Sequence, residues 1–190
     1  MSCPSTAPCS IPNSPVGKPD KNPDPLELAR AGDEEALDKV LGYVIAPVFD
    51  LALHRYRQPE RAERAAIDGL RALATGIRSG GPESSPVAEA VRGVLGSGDE
   101  AAPLPDGTAL DRAMAALDAD QRRALLAALA CDLEDDELAY ALQVDGRTAL
   151  DLCAAGLRAA DLDRNALREA MDARAAQTPL PQGLIDRALA

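Results

Sequence analysis

The apolar residues of this chain are almost all small and aliphatic. Hydrophobic types make up 46% of its 190 residues, yet the aromatic ones amount to one phenylalanine and three tyrosines, with no tryptophan. Side chains of this kind fill a core when many are brought together at close range, which alanine- and leucine-rich helices do well and strands do poorly. The chain is therefore expected to be all-α. The spacing agrees: Leu37, Val40, Leu41, Val44, Ile45 and Val48 recur every three or four residues, one continuous stripe on a helix that Pro47 is expected to kink.

Charge narrows the functional classes. A formal net charge of -11 repels a polyanion at long range unless the basic residues are segregated. Cys3, Cys9, Cys131 and Cys153 are too scattered for a disulfide framework and form no CxxC pair. A reducing cytoplasm is the expected setting. The first 25 residues hold seven prolines and no apolar run, so they read as a disordered tail and neither a signal peptide nor a membrane span.

Two helical units are expected. The first covers residues 26–79: Asp33 is placed to cap a helix with Glu34 and Glu35 in its first turn, and Gln58-Pro59 separates that helix from another carrying Ala62, Ala66, Leu70, Leu73 and Ile77. Residues 80–107, rich in glycine, proline and serine, read as a linker in which only Val87 to Leu95 has helical spacing. The second unit, residues 108–177, shows three apolar helical patterns, a short turn at Gln143-Val144-Asp145-Gly146, and a fourth helix from Thr148 to Ala160 in helix-turn-helix spacing. A further amphipathic segment, Leu167 to Ala176, precedes a tail at 178–190 with Pro179 and Pro181.

Two stretches resemble the domains of extracytoplasmic-function sigma factors, the small bacterial RNA polymerase specificity subunits. LARAGDEEALDKVL resembles the family's opening helix, and RQPERAERAAIDGLRAL resembles its DPEDAEDAVQEAFLRAL signature, which in the family binds core polymerase. LDRAMAALDADQRRALLAALACDLEDDELAYALQVDGRTALDLCAAGLRAA resembles the promoter-binding domain from its LP..QR opening to its terminal helix. The resemblance implies a sigma2-like domain and a sigma4-like helix-turn-helix domain, without a cofactor.

The positions that touch nucleic acid in the family depart from its pattern. Its recognition helix reads GTVKSRLHRAR; here the aligned residues run from Arg147 to Leu157, with Leu150 in place of lysine and Leu152 in place of arginine. A major-groove helix needs cations for phosphates and polar groups for base edges. Residues 132–163 instead hold nine acids against Arg147 and Arg158, a net of -7. In the signature, Ile67 and Arg64 replace the glutamine and the second aspartate, Asp68 stands at the glutamate, and no aromatic residue follows at 72–78 for strand separation.

The expected function is thus a sigma-like regulator working through protein contacts, with an anti-sigma factor, another regulatory protein or core RNA polymerase as partner, DNA binding weak or absent, and no membrane. The candidate partner-binding residues are Leu150, Asp151, Leu152, Ala154 and Ala155 on the recognition helix and Ile67, Asp68 and Arg71 on the signature helix. Leu150 and Leu152 should face outward, unless the helix rotates and buries one of them. The alternative is a working but atypical sigma factor whose nucleic-acid contacts come from Arg55, Arg57, Arg61, Arg64, Arg71 and Arg78. A self-associating or ligand-binding scaffold is a third reading. Nothing in the sequence supports catalysis or a metal centre: His54 has no nucleophile placed for it by spacing, and Glu134-Asp135-Asp136-Glu137 reads as an acidic helix start.

Overall fold

The computed structural model describes residues 24–81, 84–98 and 107–190, and every regular element among them is a helix. The N-terminal segment, with Cys3 and Cys9, lies outside the described residues up to position 23. Helix α1 (Pro25–Arg30) starts at Asp24, whose carboxylate accepts from Leu26 N at 3.0 Å. Helix α2 (Glu34–Tyr56) starts at Asp33, which accepts from Ala36 N at 3.0 Å as expected of an N-cap. The helix is 23 residues long with Pro47 inside it, and it ends at Arg57, which adopts the left-handed conformation at φ 57°. Pro59 opens α3 (Pro59–Arg78), where a missing N–H costs nothing.

The stretch read from sequence as a linker carries α4 (Pro86–Gly96), capped by Ser85. Ala88, Ala90, Val91 and Val94 are fully buried. The flanking glycines and prolines mark its ends; its own apolar spacing makes it a core helix, which corrects the linker reading at 86–96. It lies against α3 so closely that side chains are excluded. A Cβ at Gly69 would sit 2.7 Å from the Ala90 carbonyl oxygen, and one at Gly93 would sit 2.9 Å from Gly69 Cα.

Six further helices follow: α5 (Ala109–Ala115), α6 (Ala119–Ala130), α7 (Asp135–Leu142), α8 (Gly146–Ala160), α9 (Arg164–Ala175) and α10 (Leu184–Leu189). Capping boxes start α5, where Thr108 and Asp111 exchange bonds, and α6, where Asp118 and Gln121 do. The last segment, expected as a tail, forms α10, which docks on α3 and α2 and buries Leu184 and Ala188. Its prolines lie before the helix and leave the apolar run Leu184, Ile185, Ala188 and Leu189 intact.

One apolar core runs through the described residues from Ala29 to Ala188. Helix α2 packs against α1, α3 and α4 and also against α6 and α9, while α4 packs against α7. A buried polar joint reinforces this second contact. Glu89 of α4, 4% exposed, accepts from Arg92 at 2.5 Å and from the Tyr140 hydroxyl of α7, and Arg92 lies 5.0 Å from the centre of the Tyr140 ring. Instead of a gap between two units, the described chain has a shared interior.

The close approach of α3 and α4 is directly testable. Gly69→Ala is expected to lower stability by about 1–3 kcal/mol through overpacking. Gly42→Ala, on the exposed side of α2 with nothing within 4 Å of the new Cβ, should raise it by roughly 0.5–1 kcal/mol. Urea midpoints that move together in the two variants would contradict this packing.

Candidate functional site

Helix α8 is positioned by its start and by one close crossing. Asp145 accepts from Thr148 N at 2.9 Å and from Thr148 Oγ1 at 2.6 Å, and these bonds, the hydroxyl's first, hold its carboxyl below the usual range. One turn from the C-terminal end, a Cβ at Gly156 would meet Leu125 Cδ1 of α6 at 2.9 Å, so the glycine lets the two helices touch. With Ala149, Gly156 and Ala160 buried, the orientation of α8 is fixed.

Leu150, Asp151 and Ala154 therefore face solvent, and Leu152 and Ala155 are half-buried. Leu150 is 52% exposed, an unusual setting for a leucine. It stands at the edge of a groove of about 220 Å³ whose apolar lining includes Leu125, Leu129, Leu138, Cys153 and Leu157. Glu134, Asp135 and Arg164 lie at its margin, Arg164 within 3.8 Å of Glu134. Arg147 lies 3.9 Å from Asp151, one turn away on the exposed face. The acidic start of α7 differs in detail from a set of caps: Glu134 occupies the N-cap but makes no side-chain cap bond, so Asp135, Asp136 and Glu137 act on the helix dipole alone.

The candidate residues of α3 lie elsewhere. Ile67 is half-buried against the core, Asp68 and Arg71 are exposed 3.6 Å apart, and Arg71 also donates to Arg187 O of α10 at 3.2 Å. Helix α3 packs against α1, α2, α4 and α10, and α8 against α5, α6 and α7, so the two candidate patches belong to different faces. The arginines proposed for nucleic-acid contact are largely engaged within the protein. Arg55 is 1% exposed and donates to Val94 O and Gly98 O; Arg57 pairs with Asp111 and Arg78 with Glu34; Arg61 lies 5.4 Å from the Tyr56 ring centre.

Sequence reasoning did not find a polar junction where α2, α5 and α9 meet. Asp111 Oδ1 accepts from Arg57 at 2.5 Å and from Arg174 at 2.7 Å. Burial alone would raise the Asp111 carboxyl, but the Arg174 and Thr108 bonds outweigh it and hold it below the usual carboxylate range. Burial, with the like charges of Arg174 and Arg122, lowers Arg57 despite Asp111. His54 is 9% exposed, its Nδ1 makes no hydrogen bond, and burial with the charges of Arg174 and Arg57 lowers its pKa to about 4. The arginine partners of Asp111 lie 54 and 63 residues away in the sequence, beyond the reach of any local pattern.

Among the described residues no helix is long and apolar enough to cross a membrane. Comparison of the chain with models of known protein families, with curated proteins and with solved structures gave no match.

The buried histidine predicts a pH dependence. His54 is neutral in the fold and its pKa is lower there than in the unfolded chain, so its contribution to stability is complete above pH 6.5 and is lost as pH falls toward about 4. In that window it should remove about 1.4 kcal/mol of stability per pH unit. Urea unfolding at several pH values should give a shallower dependence for His54→Gln than for the wild type. Parallel profiles would show that His54 is not the group responsible.

Proposed function

We propose that this chain is a sigma-factor-like regulator that works by binding another protein, imitating a sigma factor toward an anti-sigma factor or a polymerase-associated partner. One observation carries the reading: the α8 face aligned with a base-reading surface presents Leu150, 52% exposed, with Asp151 and Ala154. An exposed leucine at the edge of an apolar groove is a feature of protein docking, and groove readout of DNA requires cations at those positions. The margin carries Glu134 and Asp135 against Arg164, leaving one negative charge in excess, which favours a partner segment that is apolar with a basic residue.

The reading as an atypical working sigma factor draws less support from the arrangement of charge. Arg55 is withdrawn into the core, and Arg78 is paired with Glu34. Helices α2 and α4 also pack against helices of the second unit, so the two expected domains do not stand apart.

The test is an affinity purification of the full chain from its native cytoplasm, with Leu150→Lys and Leu150→Lys/Leu152→Arg variants beside the wild type. Recovery of an anti-sigma factor is expected. Its affinity for the purified chain should fall by about 2 kcal/mol, roughly thirtyfold, in Leu150→Lys if that leucine is a central contact. Stoichiometric recovery of core polymerase with promoter DNA, indifferent to both variants, would overturn the proposal.

A further inference from the structure

We propose that the cleft formed by Arg57, Pro59 at the start of α3, Asp111 of α5 and Arg174 of α9 is a binding site for a small phosphate-bearing anion. The cleft holds about 270 Å³, and its remaining lining is Leu53, Gln177 and Thr178. Its charged groups are two guanidiniums and one carboxylate, so it carries a local positive excess in a chain whose net charge is -11.

The hydrogen bonds show where that excess lies. Both arginines place an Nη2 on the same oxygen, Asp111 Oδ1, at 2.5 and 2.7 Å. The other oxygen, Oδ2, is taken by Thr108 N at 3.0 Å and Thr108 Oγ1 at 2.9 Å. Asp111 is thus saturated by its own helix start and by one donor from each arginine. Each guanidinium has five N–H donors in a planar fork, so most remain for another acceptor. Arg57 contributes only its Nη2, and Arg174 contributes only Nη2, bonded also to Thr108 Oγ1 at 3.2 Å.

The two guanidiniums meet at Asp111 and line one cleft, so an anion entering it lies beside both, and a phosphate group brings more acceptor oxygens to two planar donors than a carboxylate does. Gln177 and Thr178 line the cleft with neutral polar side chains, and Leu53 and Pro59 line it with apolar surface. This site is independent of the α8 face and stands whether or not a partner docks there.

The experiment is isothermal titration of the full chain at fixed ionic strength and pH 7.5 with inorganic phosphate and with glycerol phosphate, glycerol alone serving as control. Saturable binding of one phosphate group per chain is expected. Arg174→Gln should weaken it about tenfold or more, the loss of a charge-assisted hydrogen bond, and Arg158→Gln on the exposed face of α8 should leave it unchanged. Tighter binding of the ester assigns a role to Leu53 and Pro59 in holding an organic body; equal binding assigns the site to the phosphate group alone. Should Arg174→Gln fail to fold, Gln177→Glu, which adds a negative charge at an exposed position in the cleft, is expected to abolish binding. Absence of saturable heat with either phosphate, or affinity unchanged in Arg174→Gln and Gln177→Glu, overturns the proposal.

Discussion

A buried guanidinium ties the C-terminal ends of two helices together. Arg55 sits at the end of α2 with 1% of its surface exposed, and it donates to Val94 O and Gly98 O at the end of α4. Next to it, the Tyr56 hydroxyl donates to Ser97 O. Helix ends expose carbonyls outside the helical ladder, and a buried cation needs acceptors; Val94 O serves Arg55 while also accepting from Ser97. The contact fixes α4 against α2, and α4 then presents Glu89 to Tyr140 of α7. Through this sequence of contacts the arginine connects the first helices of the chain to the α7–α8 pair.

The consequence for function follows from which surfaces this packing consumes. Helix α7 gives its inner side to α4, α8 gives its inner side to α5, α6 and α7, and the outward side of α8 carries Leu150, Asp151 and Ala154 together with Arg147 and Arg158. The surface left open is thus a short strip beside a groove in which Leu150 is the large apolar side chain, flanked by the Arg147–Asp151 pair. In a chain with so few aromatic residues, an exposed leucine provides one of the larger apolar contacts available to a partner; Tyr43 on α2, 79% exposed, is another.

Much of the helical framework was legible in the sequence because its signals are local. The Asp33 cap, the Pro59 start, the Gln143–Asp145 turn and the apolar stripe of α2 each depend on residues within a few positions of one another. Helices α4 and α10 were hidden for opposite reasons. In α4, glycine and proline at the flanks outweighed four buried aliphatics between them, and in α10 two prolines preceding a short run drew the eye from Leu184 and Ala188. On α8, the expectation that Leu150 and Leu152 both face outward holds fully for Leu150 and only in part for Leu152, because the position of Gly156 against Leu125 sets the rotation. The junction at Asp111 could not have been read at all, since pairs separated by more than fifty residues leave no periodic trace.

The docking of α10 on α3 also sets an order of assembly. Residues 184–189 cover a surface made by residues more than a hundred positions earlier, and the contact is closed by Arg187, which donates to Glu63 and receives Arg71 on its carbonyl. During synthesis α3 emerges long before its cover, so that patch stays wet until residues 184–189 have been made. Pairings of such sequence separation are slow to find and leave apolar surface uncovered in the interval, which is when a nascent chain is most open to chaperones or to self-association. The same geometry makes the 176–183 connection a place where one proteolytic cut would detach the cover while leaving the rest of the described core covalently whole.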